Sequence, residues 1–142
     1  MRRHIPGLRQ TIGNRDEFIE GIFLVRVDRV YYRWHLQRPF YLIRFAIVEP
    51  ESKRGQSFSG RIYCTQRAMW KLDWFLRDFR YDTDLIGREE IDEKALIGLT
   101  GIIHVSRTIL NGHNYLNLSG FAPADDWNEQ SAPHSDGEEA RT

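Results

Sequence analysis

The sequence predicts a mainly β domain: five antiparallel strands with one helix between the third and fourth. Three observations predict it. Apolar residues alternate with period two in three successive segments between residues 21 and 65. The period then lengthens to that of a helix across residues 65–79. Finally, two more alternating segments flank an Asn-Gly pair at 111 and 112, a strong local hairpin signal.

Residues 1–19 carry Pro6, Gly7 and Gly13 with little periodicity and are expected to be a flexible arm. From Gly21, "IFLVRVDRV" places Phe23, Val25 and Val27 on one side and Leu24, Arg26 and Asp28 on the other, as a half-buried strand does. In "FYLIRFAIV", Tyr41, Ile43, Phe45 and Ile47 are expected to face inward, with Phe40, Leu42 and Arg44 outward. After the polar turn at 49–57, "GRIYCT" turns Ile62 and Cys64 in and Arg61, Tyr63 and Thr65 out. The helical stripe is Met69, Leu72, Leu76 and Phe79, widened by Phe75, with Thr65 or Gln66 placed to begin it. Trp70 and Trp74 are expected to pack on the core. An acidic connection follows, with a short helix ending at Gly98. "GIIHVSRTI" and "NYLNLSGF" complete the set of strands.

This order is the plan of the oligonucleotide/oligosaccharide-binding barrel, and the chain is read as OB-fold-like over residues 20–124. A half-open sandwich capped by a helix is the alternative architecture. Residues 125–142 belong to an acidic, apolar-poor segment expected to be a disordered tail.

Composition narrows function. The length of 142 residues suits one domain with a single core. No stretch approaches the roughly 20 apolar residues of a membrane span, and "MRRHIPGLRQ" has no apolar segment of a secretory signal. Cys64 is the only cysteine, so no internal disulfide can form and a reducing, cytoplasmic setting is expected. Net charge is zero, yet residues 1–80 hold 16 Lys or Arg against 8 Asp or Glu, while residues 81–142 hold 4 against 12. A basic portion of +8 implies an anionic partner. All but three of the chain's cations are arginine, the residue that binds phosphate bidentately and stacks on rings (Lys53, Lys71 and Lys94 are the lysines).

The segments "GIFLVRVDRVYYR", "PFYLIRFAIVEPES", "GRIYCTQRAMWKLDWFLRDF" and "KALIGLTGIIHVSRTILNGHNYLNLSGFAPA" are similar to a phage-associated and bacterial group that resembles single-stranded-DNA-binding barrel proteins. The matching positions are Gly21, Leu72, Trp74, Leu96 with Gly98, and Phe121 with Pro123. The resemblance implies an OB fold and binding of single strands in replication or recombination. The acidic tail is similar to that of bacterial single-strand-binding proteins but lacks their apolar tip.

In such a barrel, ligands cross strands two and three between the first and last hairpin loops. "RVYYRWH", residues 29–35, falls at the end of strand one and in that first loop. Tyr31, Tyr32, Trp34, Phe40 and Tyr63 are therefore the candidate base stackers, and Arg29, Arg33, Arg38, Arg44 and Arg61 the candidate phosphate contacts. Arg107 and His113 are expected to line the opposite loop. For each ring the competing reading is cover for the core, and Arg44 has a second reading as an ion-pair partner of Asp28 or Glu49.

No enzyme is expected. The five histidines are dispersed, no Cys/His spacing matches a zinc site, and "LIGLTG" lacks the Lys-Ser/Thr of a phosphate loop. "REEIDEK" reads as a solvated acidic face and Cys64 as a small buried hydrophobe. No cofactor is implied. The expected partner is single-stranded DNA, with RNA as a variant, together with a replication or recombination protein or a second copy of the chain. The rival function is a protein-interaction or structural module using the same surface.

Overall fold

A computed structural model describes residues 2–4 and 19–128. It is a mainly β structure. Strands β1 (Gly21–His35), β2 (Arg38–Glu49) and β3 (Ser57–Tyr63) precede helix α1 (Met69–Asp78). Two short helices, α2 (Thr83–Gly87) and α3 (Glu93–Leu96), lead to β4 (Thr100–Leu110) and β5 (His113–Pro123). All neighbours pair antiparallel in the order β3-β2-β1-β4-β5. The sheet is open and not closed into a barrel. β3 and β5 are its edges, and they approach through side chains: a Cβ at Gly60 of β3 would lie 2.7 Å from Cγ and Cδ1 of Leu118 on β5.

The alternation read from sequence holds on the inner face. Phe23, Val25, Val27, Tyr41, Ile43, Phe45, Ile47 and Ile62 are all buried, whereas Cys64 is only half-buried. α1 closes this face with Leu72, Phe75, Leu76 and, just past its end, Phe79. Phe75 and Phe79 lie 4.7 Å apart by ring centroid and meet Phe45 and Phe121 in one aromatic cluster. Truncating such a buried ring costs about 3–5 kcal/mol. β4 carries Gly101 where it crosses Phe79, because a Cβ there would stand 2.5 Å from the ring.

α1 starts later than the sequence suggests. Thr65 precedes a single 3-10 turn over Gln66–Ala68, and no side chain caps either segment. The helix stops where Arg80 takes a left-handed conformation (φ 59°) and the Tyr81 N–H bonds back to the Leu76 carbonyl at 2.9 Å. Met69, placed on the buried stripe by its spacing, is 44% exposed. The acidic connection forms two short helices, opened by Asp82 and Asp92, whose carboxylates accept from the backbone N–H groups of the first turn. Gly98 follows at φ 94°, and its N–H bonds Val27 O at 2.8 Å, delivering the chain to β4.

The β1–β2 and β4–β5 hairpins close in tight two-residue turns. Asn111 and Gly112, at φ 53° and 78°, form the turn that their dipeptide predicts. The β1–β2 turn is instead Leu36-Gln37, at φ 50° and 60°. Non-glycine residues pay about 1–2 kcal/mol each for that conformation, and the long ladder from Val30↔Ile43 to His35↔Arg38 holds them there. The segment expected as a loop is therefore the arm of a hairpin.

The acidic segment begins in structure as well. β5 runs to Pro123, Ala124–Asp126 form a 3-10 turn, and Asp125 pairs with Arg80 at 2.7 Å. Most of the expected arm (1 and 5–18) and the rest of the tail (129–142) lie outside the described residues. No helix among the described residues is long and apolar enough to cross a membrane.

Candidate functional site

Once "RVYYRWH" is strand, period two decides which way each side chain points. A register shift between Val27 and Arg29 sets the phase for the rest of β1. Arg29, Tyr31, Arg33 and His35 then share the outer face with Arg44, Leu42, Phe40 and Arg38, their partners on β2. β3 continues the rows, with Ser59 beside Arg44, Arg61 beside Leu42, and Tyr63 beside Phe40. Eight expected residues, Arg29, Tyr31, Arg33, Arg38, Phe40, Arg44, Arg61 and Tyr63, thus lie on one three-strand surface.

On this surface arginines and rings interleave. Arg29 donates to Tyr31 Oη at 3.2 Å, and the Arg33 guanidinium stands over the Tyr31 ring, 4.9 Å from its centroid. Arg61 stands over Phe40 and Arg38 over Tyr63, each at 4.7 Å, while Arg61 also donates to Tyr63 Oη at 3.4 Å. Exposed cation–π contacts of this kind contribute about 0.5–1 kcal/mol each, enough to bias side-chain placement without fixing it. The hydrogen bond and positive charge of Arg29 pull the Tyr31 phenol below its ordinary range, and Tyr31 raises Arg29 in return.

The charges are largely unspent. Arg44 pairs with Asp28 at 3.2 Å, as one of its two sequence readings had it. Arg29, Arg33, Arg38 and Arg61 form no ion pair with a carboxylate among the described residues. Arg26, exposed on the same side and paired with Ala46, extends the cationic surface, although sequence reasoning did not single it out. Its signal was the outward phase already assigned to it.

Three expectations need correction, those for Phe40, for Tyr32 with Trp34, and for Arg107. Phe40 is outward-facing but only 5% exposed, because Arg61 and the Tyr63 ring (5.3 Å) cover it; it supports the surface and offers no free face. Tyr32 and Trp34 have the opposite phase to the arginines. Tyr32 meets the inward Tyr41 edge-on at 5.2 Å, and Trp34 follows on the same side, 63% exposed. Arg107 shares the buried phase of Val105 on β4, and its Nε donates to Ile19 O at 3.3 Å, bracing the entry to β1. His113, by contrast, lies at the β4–β5 turn where it was expected, its ring against Tyr115 at 6.4 Å.

The underside of the β1–β2 hairpin is a different environment. Tyr32 and Tyr41 line a cleft of about 520 Å³ with Cys64, Met69, Leu72 and Ile86, and Glu89 and Glu90 stand at it. Burial pushes the Tyr41 phenol up to about 12 and raises the Cys64 thiol as well. Trp70, expected in the core, is 63% exposed and stacks on Trp74 at 6.1 Å. Trp74 is the anchored member, edge-on to Phe121 and donating Nε1–H to Asp78 at 2.8 Å. Among the described residues no group of three or more His, Cys, Asp or Glu could hold a metal ion.

Compared with models of known protein families, and separately with curated proteins, the chain finds no match.

Proposed function

We propose that the chain binds single-stranded nucleic acid, DNA in the first instance, with little sequence preference, and serves replication or recombination by holding unpaired strands. The observation that carries this is the outer face of β1–β3. Its arginines alternate with rings, and four of the five expected there have no carboxylate partner among the described residues. Phosphates need a cationic surface and unstacked bases need flat ones, and this mixture tolerates any base. The strand order, with a helix between β3 and β4, supports an OB-type plan despite the open edge.

Titrating the protein with fluorescent oligo-dT at several salt concentrations tests the function. Four free arginines that each neutralise a phosphate give a log–log slope of about −2.8, or roughly 50-fold weaker binding at 200 mM than at 50 mM salt. Absence of binding at 50 mM salt refutes the proposal.

A second function, docking onto another protein, is favoured by Trp70. An exposed indole stacked on an anchored one, beside exposed Met69, is the composition of an interaction hot spot. Light scattering across protein concentration and after Trp70→Ala reports whether that partner is a second copy.

A further inference from the structure

We infer that unpaired bases stack on the guanidinium planes of Arg33, Arg38 and Arg61, so that the ligand is a base-bearing single strand and not polyanions in general. This rests on the nucleic-acid function proposed above and names what the surface recognises. The rings on the outer face are already engaged. Arg33 stands over Tyr31, Arg38 over Tyr63 and Arg61 over Phe40, at 4.7–4.9 Å from the ring centroids. Phe40 and Tyr63 further pack against each other at 5.3 Å.

A base approaching Phe40 or Tyr63 meets a guanidinium first, and Arg33 stands over the more exposed ring of Tyr31. Taking the ring face means expelling the cation and losing its contact. Landing on the guanidinium keeps that contact and adds a second, because a planar, delocalised cation has two faces and only one is used by the ring. All three arginines are exposed, so the second face is open to solvent. The hydrogen bond from Arg61 to Tyr63 Oη holds that guanidinium from its edge and leaves the plane available. The register repeats the arrangement on β1, β2 and β3, through the pairs Arg33↔Phe40 and Phe40↔Tyr63. Neighbouring strands lie about 4.8 Å apart, so the guanidinium–ring piles spread over two strand spacings, about 10 Å across the sheet. That geometry suits bases splayed from one continuous backbone. Lysine at the same positions would keep the charge and lose the plane.

The test compares oligo-dT with an abasic oligonucleotide of equal length, which has the same phosphates and no bases. Both are titrated against the wild-type protein and an Arg33→Lys/Arg38→Lys/Arg61→Lys variant. The wild type is expected to prefer oligo-dT by about tenfold or more, since each stacked base contributes severalfold. The lysine variant is expected to keep the salt slope but lose the preference, to within about twofold. Equal wild-type affinity for both oligonucleotides overturns the inference and makes the surface a polyanion site, leaving the nucleic-acid function standing. A lysine variant that keeps the full preference also overturns it. Failure of the wild type to bind either oligonucleotide refutes the function itself, and the inference with it. The wild-type ratio needs no variant, and the single exposed Arg38→Lys change serves if the triple variant does not match the wild type in far-UV circular dichroism.

Discussion

Replacing Gly60 by alanine places a methyl group 2.7 Å from Cγ and Cδ1 of Leu118 and 2.8 Å from its Cδ2. Leu118 is 2% exposed, so its isobutyl group has little room to retreat. Overpacking of this kind costs about 1–3 kcal/mol. For a domain of this size roughly 4 °C of Tm accompanies each kcal/mol, so a drop of about 4–12 °C is expected. Leu118→Ala alone removes a buried isobutyl group and costs about 2–5 kcal/mol. The double variant should be better than additive by about 0.5–3 kcal/mol, because the new methyl group occupies space vacated by the leucine. Urea unfolding followed by circular dichroism and tryptophan fluorescence measures all four corners of the cycle. Strict additivity would refute the close approach of β3 to β5, the feature that curls the sheet so that α1 can close one side of it.

Asp28→Asn frees Arg44 and should steepen the log–log salt slope for oligo-dT by about 0.7, with stability changed by less than about 1 kcal/mol; parallel salt titrations and unfolding curves check both. Trp74→Ala should cost about 3–5 kcal/mol and Trp70→Ala under about 1 kcal/mol, read by thermal unfolding, because only Trp74 is anchored to Phe121 and Asp78. In an ultraviolet titration of the tyrosines, Tyr31 should ionise below the ordinary phenol range and return toward it in Arg29→Gln, while Tyr41 ionises at about 12. The Tyr41 shift has a defined sign. Its folded value lies above the unfolded value of about 10, so its contribution is fully present below pH 10 and is lost as pH rises from 10 to 12. A Tyr41→Phe variant should lose less stability than the wild type over that interval.

The inner face was legible because burial imposes a strict period. Phe23 to Val27, Tyr41 to Ile47 and the Leu72–Phe79 stripe alternate or repeat without interruption, and each is buried as its phase requires. Asn111-Gly112 announced its turn through residues that tolerate a positive φ. Leu36-Gln37 did not, since neither favours that conformation; the surrounding ladder imposes it. Missing that turn made the aromatic run a loop, where period two gives no guidance, so Tyr32 and Trp34 were grouped with Tyr31. In a strand they separate: Tyr31 joins the arginines and Tyr32 the cleft above α1. Trp70 and Phe40 were misplaced for opposite reasons. A large indole on a helix looks like core, yet the buried stripe is already filled by Leu72, Phe75 and Leu76. An outward phenylalanine looks available, yet the arginine and tyrosine of the adjacent strand lie over it. Neither outcome is visible until strands and helix are set against each other.

The most direct measurement is a map of amide shifts in a nitrogen-labelled sample as oligo-dT is added. Binding across the outer surface moves Arg29, Tyr31, Arg33, Leu42, Arg44, Ser59 and Arg61 together and leaves Met69, Trp70 and Glu90 in place. Shifts gathered around Met69, Trp70 and Glu90, with the arginine rows unmoved, would contradict a nucleic-acid role for that surface.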